Sequence, residues 1–208
     1  VCVTSTMKVM PPPGQTQAAL VVGEPGGARC VVPLMVHVLP AAAPEAARPA
    51  GTPVGLGELP LLSYRDARRR SRKDLPLVKP DADGKGGITI GPKTPAFPVG
   101  LSVPARGEAV LNIEGRGFKA FAAEVGPASG LSTRTNLSWA AVRRLYFEVW
   151  VDGQLAAAVG PMRMTDPPRP LRAGIPPGAH KLRLVTRPGN DQDHRRLYGC
   201  WGNPALYR

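Results

Sequence analysis

The sequence predicts an all-β protein: a sandwich of about seven or eight short strands, preceded by a small N-terminal β subdomain or a strand-exchanging arm. Three observations carry this. The 208 residues include 24 Gly and 25 Pro spread without period among 43% apolar residues, which suits many short strands joined by many turns. Several stretches alternate apolar and polar side chains with a period of two, and a convincing helical stripe is almost absent.

From Val1 to about Glu58 the pattern is strand-like but irregular. VCVTSTMKVM and QAALVVG read as strands separated by PPPG, and Gly26-Gly27 turns the chain into ARCVVPLMVHVL. PAAAPEAARPAGTPVGLG reads as a connector, so residues 1–58 form either a small subdomain or an arm that adds strands to another sheet. The longest apolar run, CVVPLMVHVLPAAA, is broken by Pro33, His37 and Pro40 and is too short to span a bilayer as a helix. The chain opens at Val1 and not at Met, which leaves open both a removed export signal and a longer precursor.

The second region, residues 59–208, opens on the densest charge run, with Arg68, Arg69, Arg70, Arg72 and Lys73. As a helix this run has no apolar stripe; it reads as a solvated loop or as a patch for a polyanion. The strand signals then become clean. GGITIG is a short strand between glycines, GEAVLNI places Ala109, Leu111 and Ile113 on one face, and FKAFAAEVG does the same for Phe121, Ala123 and Val125. RLYFEVWVDGQLAAAVG is the best hairpin: Leu145, Phe147, Val149 and Val151 alternate with Tyr146, Glu148, Trp150 and Asp152, and Asp152-Gly153 is a strong reversing dipeptide. GAHKLRLVTR alternates again, with Leu182 and Leu184 inward and Lys181 and Arg183 outward. In the closing RRLYGCWGNPALYR, Trp201 is framed by Gly199, Gly202 and Pro204. It is either a platform on which a ligand stacks or a plug that fixes the last strand.

The formal net charge of +12 rests on 20 Arg and 7 Lys, which invites polyanions but equally describes a solvated basic face. Neither an aromatic-rich basic strand pair nor a groove-reading helix accompanies the charge, so no specific nucleic acid is expected. Cys2, Cys30 and Cys200 are too dispersed for a metal knuckle; they form one disulfide with a thiol left over, or remain three thiols. His37, His180 and His194 have no zinc-type spacing, and DADGKGG lacks the bidentate Glu of a calcium loop, so no metal or cofactor is expected. Asp191, Asp193 and His194 cluster in sequence, but without a nucleophile elbow or a paired Glu the parts of a hydrolase are missing. An enzyme is not expected.

The order and spacing of LLSY, GGITIG, GLSVPA, FKAFAAEVG, YFEVWVDGQ, KLRLV and WGNPAL, from Leu61 to Leu206, resembles the NPCBM family, also catalogued as carbohydrate-binding module family 51. The resemblance implies a jelly-roll β-sandwich and a non-catalytic glycan-binding module of a secreted or cell-envelope protein. The departures fall on the polar positions of the family pattern. Pro104 stands where the family has His; Pro127, Ala128 and Ser129 replace residues including acidic ones. Leu197, Tyr198 and Cys200 replace Asp, His and Asp beside the retained Trp201, and Asn203 replaces a last Asp. A binding face rebuilt from the polar loop RPGNDQDHRRLYG would use Asn190, Asp191, Arg195 and Tyr198, with Trp201 and Asn203 as further glycan-contacting candidates. The alternative is a structural subunit of an extracellular or envelope assembly, a homo-oligomer whose copies meet through residues 1–58.

Overall fold

A strand with one apolar face is stable only when that face is covered, and here two antiparallel sheets cover each other. The computed structural model of the chain describes residues 14–23 and 29–38 by their backbone, and residues 49–65, 74–78, 87–91, 96–128, 144–189 and 197–208 with their side chains. The chain divides into two compact units, Val1–Ala41 and Ala42–Arg208. In the first, β1 (Gly14–Gly23) pairs antiparallel with β2 (Arg29–Val38), from Gly14 opposite Val38 to Gly23 opposite Arg29. These strands contain most of QAALVVG and ARCVVPLMVHVL; VCVTSTMKVM and Gly26-Gly27 lie outside the described residues.

The second unit is the sandwich. One sheet has five strands: β4 (Leu61–Arg65), β7 (Gly107–Asn112), β9 (Arg144–Val151), β10 (Gln154–Arg163) and β12 (Lys181–Pro188), in the order β10-β9-β12-β7-β4. The facing sheet has six: β3 (Pro53–Gly55), β5 (Leu77–Val78), β6 (Gly100–Pro104), β8 (Ala120–Pro127), β11 (Arg169–Gly174) and β13 (Tyr198–Tyr207). Their order is β11-β8-β13-β6-β5, and β3 continues the β6 edge along the second half of β13. Thus β3 and the short 3-10 turn Leu56–Glu58, whose Leu56 is core, lie ahead of the boundary at residue 58 that composition suggests.

Both turns and bulges follow from local chemistry. Asp152 and Gly153 both take left-handed φ, +47° and +84°, as a two-residue hairpin turn requires. Desolvation works against its ionisation. Even so, the backbone N–H groups of His180 and Lys181, the latter 2.8 Å away, with the His180 imidazole, hold the Asp152 carboxyl below its ordinary value. The hairpin tip is thereby tied to the start of β12. In β13 the register against β8 slips between Gly202 and Ala205, and Asn203 absorbs the extra residue with φ +46°, a conformation Asn tolerates.

GGITIG is not a ladder strand: Ile88 and Ile90 make isolated bridges to Phe97 and Ala128 and pack with Cys200 on the outer side of the six-stranded sheet. The glycines at both ends leave it too short for more. Conversely β11, with Pro170 inside it, carries no strand signal in the sequence, yet it is an edge strand, where proline is tolerated.

The core between the sheets centres on Trp201, which is 0% exposed. From β13 its indole crosses to the opposite sheet, 5.5 Å from the Phe147 ring at 77°, and lies 6.3 Å from Phe121. Its Nε1–H donates to the Thr186 hydroxyl of β12 at 3.3 Å, so the buried polar end is satisfied. The framing glycines serve this packing from both sides. A Cβ on Gly199 would come within 2.6 Å of Phe147 and Thr186, and one on Gly202 within 2.6 Å of the Phe97 ring that covers the outer surface.

Trp201→Ala is expected to lower the unfolding free energy by about 3–5 kcal/mol. Trp201→Phe, which strands the buried Thr186 hydroxyl, should cost about 1–3 kcal/mol in a urea titration followed by circular dichroism. Wild-type stability in the Phe variant would show that the indole–hydroxyl bond contributes nothing.

Candidate functional site

One end of the sandwich collects Pro104, Pro127, Ala128, Leu197 and Tyr198, positions at which the chain departs from the family pattern described above. Tyr198, first residue of β13, pairs with Pro104 at the end of β6, and the Tyr198 carbonyl accepts from the Ala128 N–H at 3.0 Å. Gly199 stands opposite Pro127. The Leu197 carbonyl accepts from Ala105 N–H at 2.8 Å, and the following Arg106 N–H donates to the Thr186 carbonyl at 2.8 Å. Period two along β13 then sorts the side chains: Gly199 and Trp201 point between the sheets, Tyr198 and Cys200 away from them. Tyr198 is 38% exposed, a phenol ring at the rim of the fold. Arg106 and Arg144 lie at the same end, where Gly189 N–H donates to the Arg144 carbonyl at 2.8 Å.

Among the described residues, the predicted ones do not form one cluster. Trp201 is corrected from glycan contact to core: a ring with no exposed surface presents no face to a sugar. Asn203 belongs to the β13 bulge on the outer side of the six-stranded sheet. Its N–H donates to the Val99 carbonyl at 2.8 Å and its Oδ1 accepts from Val99 N–H at 3.4 Å, which fastens the segment carrying Phe97. Five residues of strand separate it from Tyr198, roughly 16 Å. Asn190, Asp191 and Arg195 lie outside the described residues, in the segment joined to Gly189 and Leu197, and so do Arg68, Arg69, Arg70, Arg72, Lys73 and Cys2. The side chain of Cys30 is likewise outside them.

Cys200 is a free, buried thiol. It packs with Ile88 and Ile90, and burial pushes its pKa up to about 12 against the weaker, opposite pull of a hydrogen bond with Ser102. A thiol so protonated is a small hydrophobe and not a nucleophile at neutral pH. Among the described residues no group of three or more His, Cys, Asp or Glu side chains is placed to hold a metal ion. No helix among them is long and apolar enough to cross a membrane.

A second polar surface, one that strand-by-strand reading does not reveal, lies on the outer face of the five-stranded sheet. Register sets Arg183 opposite Trp150, Val185 opposite Glu148 and Arg187 opposite Tyr146. Arg183 and Arg187 each hold the guanidinium 5.5 Å from the ring centre of their aromatic partner. Glu148, only 2% exposed, accepts from the Trp150 indole at 2.9 Å and from Arg187 Nε at 2.6 Å, and Arg183 Nε bonds Glu108 at 3.0 Å. The outward phases of β9 and β12 are visible in the sequence; that these two strands are neighbours in this register is not.

A family model described as NPCBM/NEW2 domain matches residues 53–207. No curated protein matches the chain. Among solved structures, the CBM51 from Clostridium perfringens GH95 in complex with methyl-galactose is 23% identical with a TM-score of 0.53, over 74% of this chain and 99% of that one. The CBM51-2 and INT domains from Clostridium perfringens ZmpB, with CBM51-2 in complex with GlcNAc, are 18% identical with a TM-score of 0.58, over 94% of this chain and 38% of that one. The tandem CBM51 modules of Sp3GH98, the family 98 glycoside hydrolase from Streptococcus pneumoniae, are 18% identical with a TM-score of 0.61, over 76% and 47%. These likenesses are of fold, and the chain spans well under two thirds of the ZmpB structure.

The Cys200 thiol gives a prediction in two parts. In a Cys2→Ser, Cys30→Ser background the native protein should not react with an aromatic disulfide reagent at pH 8 until it unfolds. Because the folded pKa, about 12, is raised above the ordinary 9.0, the stabilising contribution is whole below pH 9 and is lost between pH 9 and about 12. The wild type should therefore lose stability relative to Cys200→Ala across that window, with a slope approaching about 1.4 kcal/mol per pH unit. Parallel pH profiles of the two proteins in denaturant titrations would contradict it.

Proposed function

Because the chain belongs to the NPCBM/NEW2 domain family, we propose that it is a non-catalytic glycan-binding module of a secreted or cell-envelope protein, with its sugar site at the end of the sandwich around Tyr198. The observation that carries this reading is the extent of the family match, which begins at the first residue of β3 and ends at the last residue of β13. The matched unit is thus the whole sandwich. Methyl-galactose and GlcNAc in complexes of two structural neighbours suggest the ligand class, a neutral pyranose.

The site differs from the family pattern in how it would hold such a ligand. Pro104, Pro127 and Ala128 beside Tyr198 supply little side-chain hydrogen bonding. Grip on hydroxyls falls to Arg106, Arg144 and the residues between Gly189 and Leu197, among which Asn190, Asp191 and Arg195 are the proposed contacts. Tyr198 would cover the apolar face of the ring, as aromatic side chains do in sugar sites.

In calorimetric titrations with methyl-galactose, GlcNAc and an array of neutral glycans, the wild type is expected to bind at least one. Tyr198→Ala should weaken that binding by about tenfold or more without changing the circular dichroism, since the ring points away from the core. Trp201→Phe should leave the affinity unchanged. A wild type that binds no neutral glycan at millimolar concentration, or a Tyr198→Ala variant that binds as tightly as wild type, sinks the reading.

A further inference from the structure

The end of the sandwich opposite Tyr198 is left open. Lys119 N–H donates to the carbonyl of Tyr207, the last residue of β13, whereas Tyr198 is the first, so the 10 residues of that strand hold the two ends roughly 30 Å apart. Here a recess of about 430 Å³ enters between the turn over residues 114–117 and the turn over residues 176–179. Its floor is formed by Ile113, Phe118 and Ile175, all buried members of the core.

The walls are fixed before any ligand arrives. Ala179 N–H donates to the Pro176 carbonyl at 3.3 Å around Pro177 and Gly178, whose φ is +77°, so a proline and a left-handed glycine set that turn. Ile113 N–H donates to the His180 carbonyl and Ile175 N–H to the Lys119 carbonyl, both at 2.8 Å, which ties the two turns to each other's neighbourhood. A Cβ added at Gly115, Gly117 or Gly178 would meet no heavy atom within 4 Å, so no side chain packs against the turns there.

Among the described residues Lys119 is the one charged side chain lining the recess, and its position is unusual. Ile113, Lys119 and Ile175 each stand one step beyond β7, β8 and β11 on the inward phase of those strands, so a lysine occupies the place that Phe121, Ala123 and Val125 continue with apolar side chains. Lys119 is exposed and, among the described residues, has no carboxylate within ion-pairing distance. The nearby acidic groups are engaged elsewhere: Glu114 faces the His180 imidazole at 3.9 Å, and Asp152 accepts from Lys181 N–H at 2.8 Å. The Arg208 guanidinium, 5.6 Å from the centre of the Phe118 ring, adds a second positive charge beside the recess. We propose that the recess binds a small apolar monocarboxylate, its hydrocarbon body against Ile113, Ile175 and Pro177 and its carboxylate on the Lys119 ammonium. Small-molecule pockets of this size are walled by apolar groups with a few placed polar ones. An ammonium that the protein itself leaves unneutralised complements a single negative charge. The site is independent of the rim at Tyr198 and of the glycan-binding reading.

The test titrates naphthalene-2-carboxylate and naphthalene-2-carboxamide, alike in shape and different in charge, into the whole chain and follows the N–H resonances of Gly115, Gly117 and Gly178. The acid should shift all three at millimolar concentration or below and bind more weakly as salt is raised. The amide should bind about tenfold more weakly than the acid. Lys119→Met, at an exposed position, should lower the acid to the affinity of the amide, and Ala179→Phe, which fills the recess from its wall, should weaken both about tenfold or more. Tyr198→Ala should leave the acid unchanged, and methyl-galactose should not displace it. No shift with the acid, an amide that binds as tightly, wild-type affinity in Lys119→Met, or displacement by methyl-galactose overturns the site. Should Ala179→Phe fail to fold by circular dichroism, Lys119→Met decides alone. Since neither probe is a sugar, failure of methyl-galactose and GlcNAc to bind removes the glycan reading and not this recess.

Discussion

The joint between the two sheets depends on one side chain. Trp201 starts on the six-stranded sheet, fills the space against Phe147 and bonds Thr186 of the five-stranded sheet, so a single residue supplies both volume and a directed polar contact across the core. Apolar packing is tolerant of shape, but a buried indole N–H needs an acceptor, and here the acceptor is the Thr186 hydroxyl of β12, which ties β13 to the opposite sheet. Gly199 is the other half of the constraint, since any Cβ there would push against the same Phe147 and Thr186.

Once β13 is held in this phase, the roles of its neighbours are settled by the pleat. Tyr198 and Cys200 must point outward where Gly199 and Trp201 point inward. Cys200 falls under the cover of Ile88 and Ile90 and becomes an inert thiol; Tyr198, one step closer to the strand end, falls beyond that cover and stays exposed. A difference of two residues along one strand thus separates a packed surface from an accessible one. The same phase sends Asn203 past the Gly202 position to the bulge, where it holds the segment that carries Phe97.

Much of the sandwich is legible in the sequence because β7, β9 and β12 carry clean period-two alternation, and the Asp152-Gly153 turn joins β9 to β10 as its type demands. What hides the rest is physical. Edge strands such as β11 and β3 need only one partner and tolerate proline, so they lack the apolar pattern of a central strand. The central strand β13 carries two glycines and a proline because its neighbours crowd it, which erases its alternation in composition. The burial of Trp201 is hinted at by the framing glycines, whereas its separation from Tyr198 in environment requires knowing which face each side of β13 meets. The Glu148 ladder is hidden for a different reason: Tyr146, Glu148 and Trp150 are visibly the outward phase of β9, but their partners Arg183 and Arg187 lie more than thirty residues along the chain.

The placement of some of the family departures has a simple physical explanation, although Leu197 and Cys200 are themselves buried. Pro104, Pro127, Ala128 and Tyr198 sit at strand ends or at a rim, where a side chain contributes little to the seal between the sheets. Polar groups kept there only for a ligand can be exchanged without cost to the core, whereas Trp201 cannot, because Thr186 would lose its donor and Phe147 its neighbour. A retained tryptophan in a changed rim is therefore evidence about folding and not about recognition.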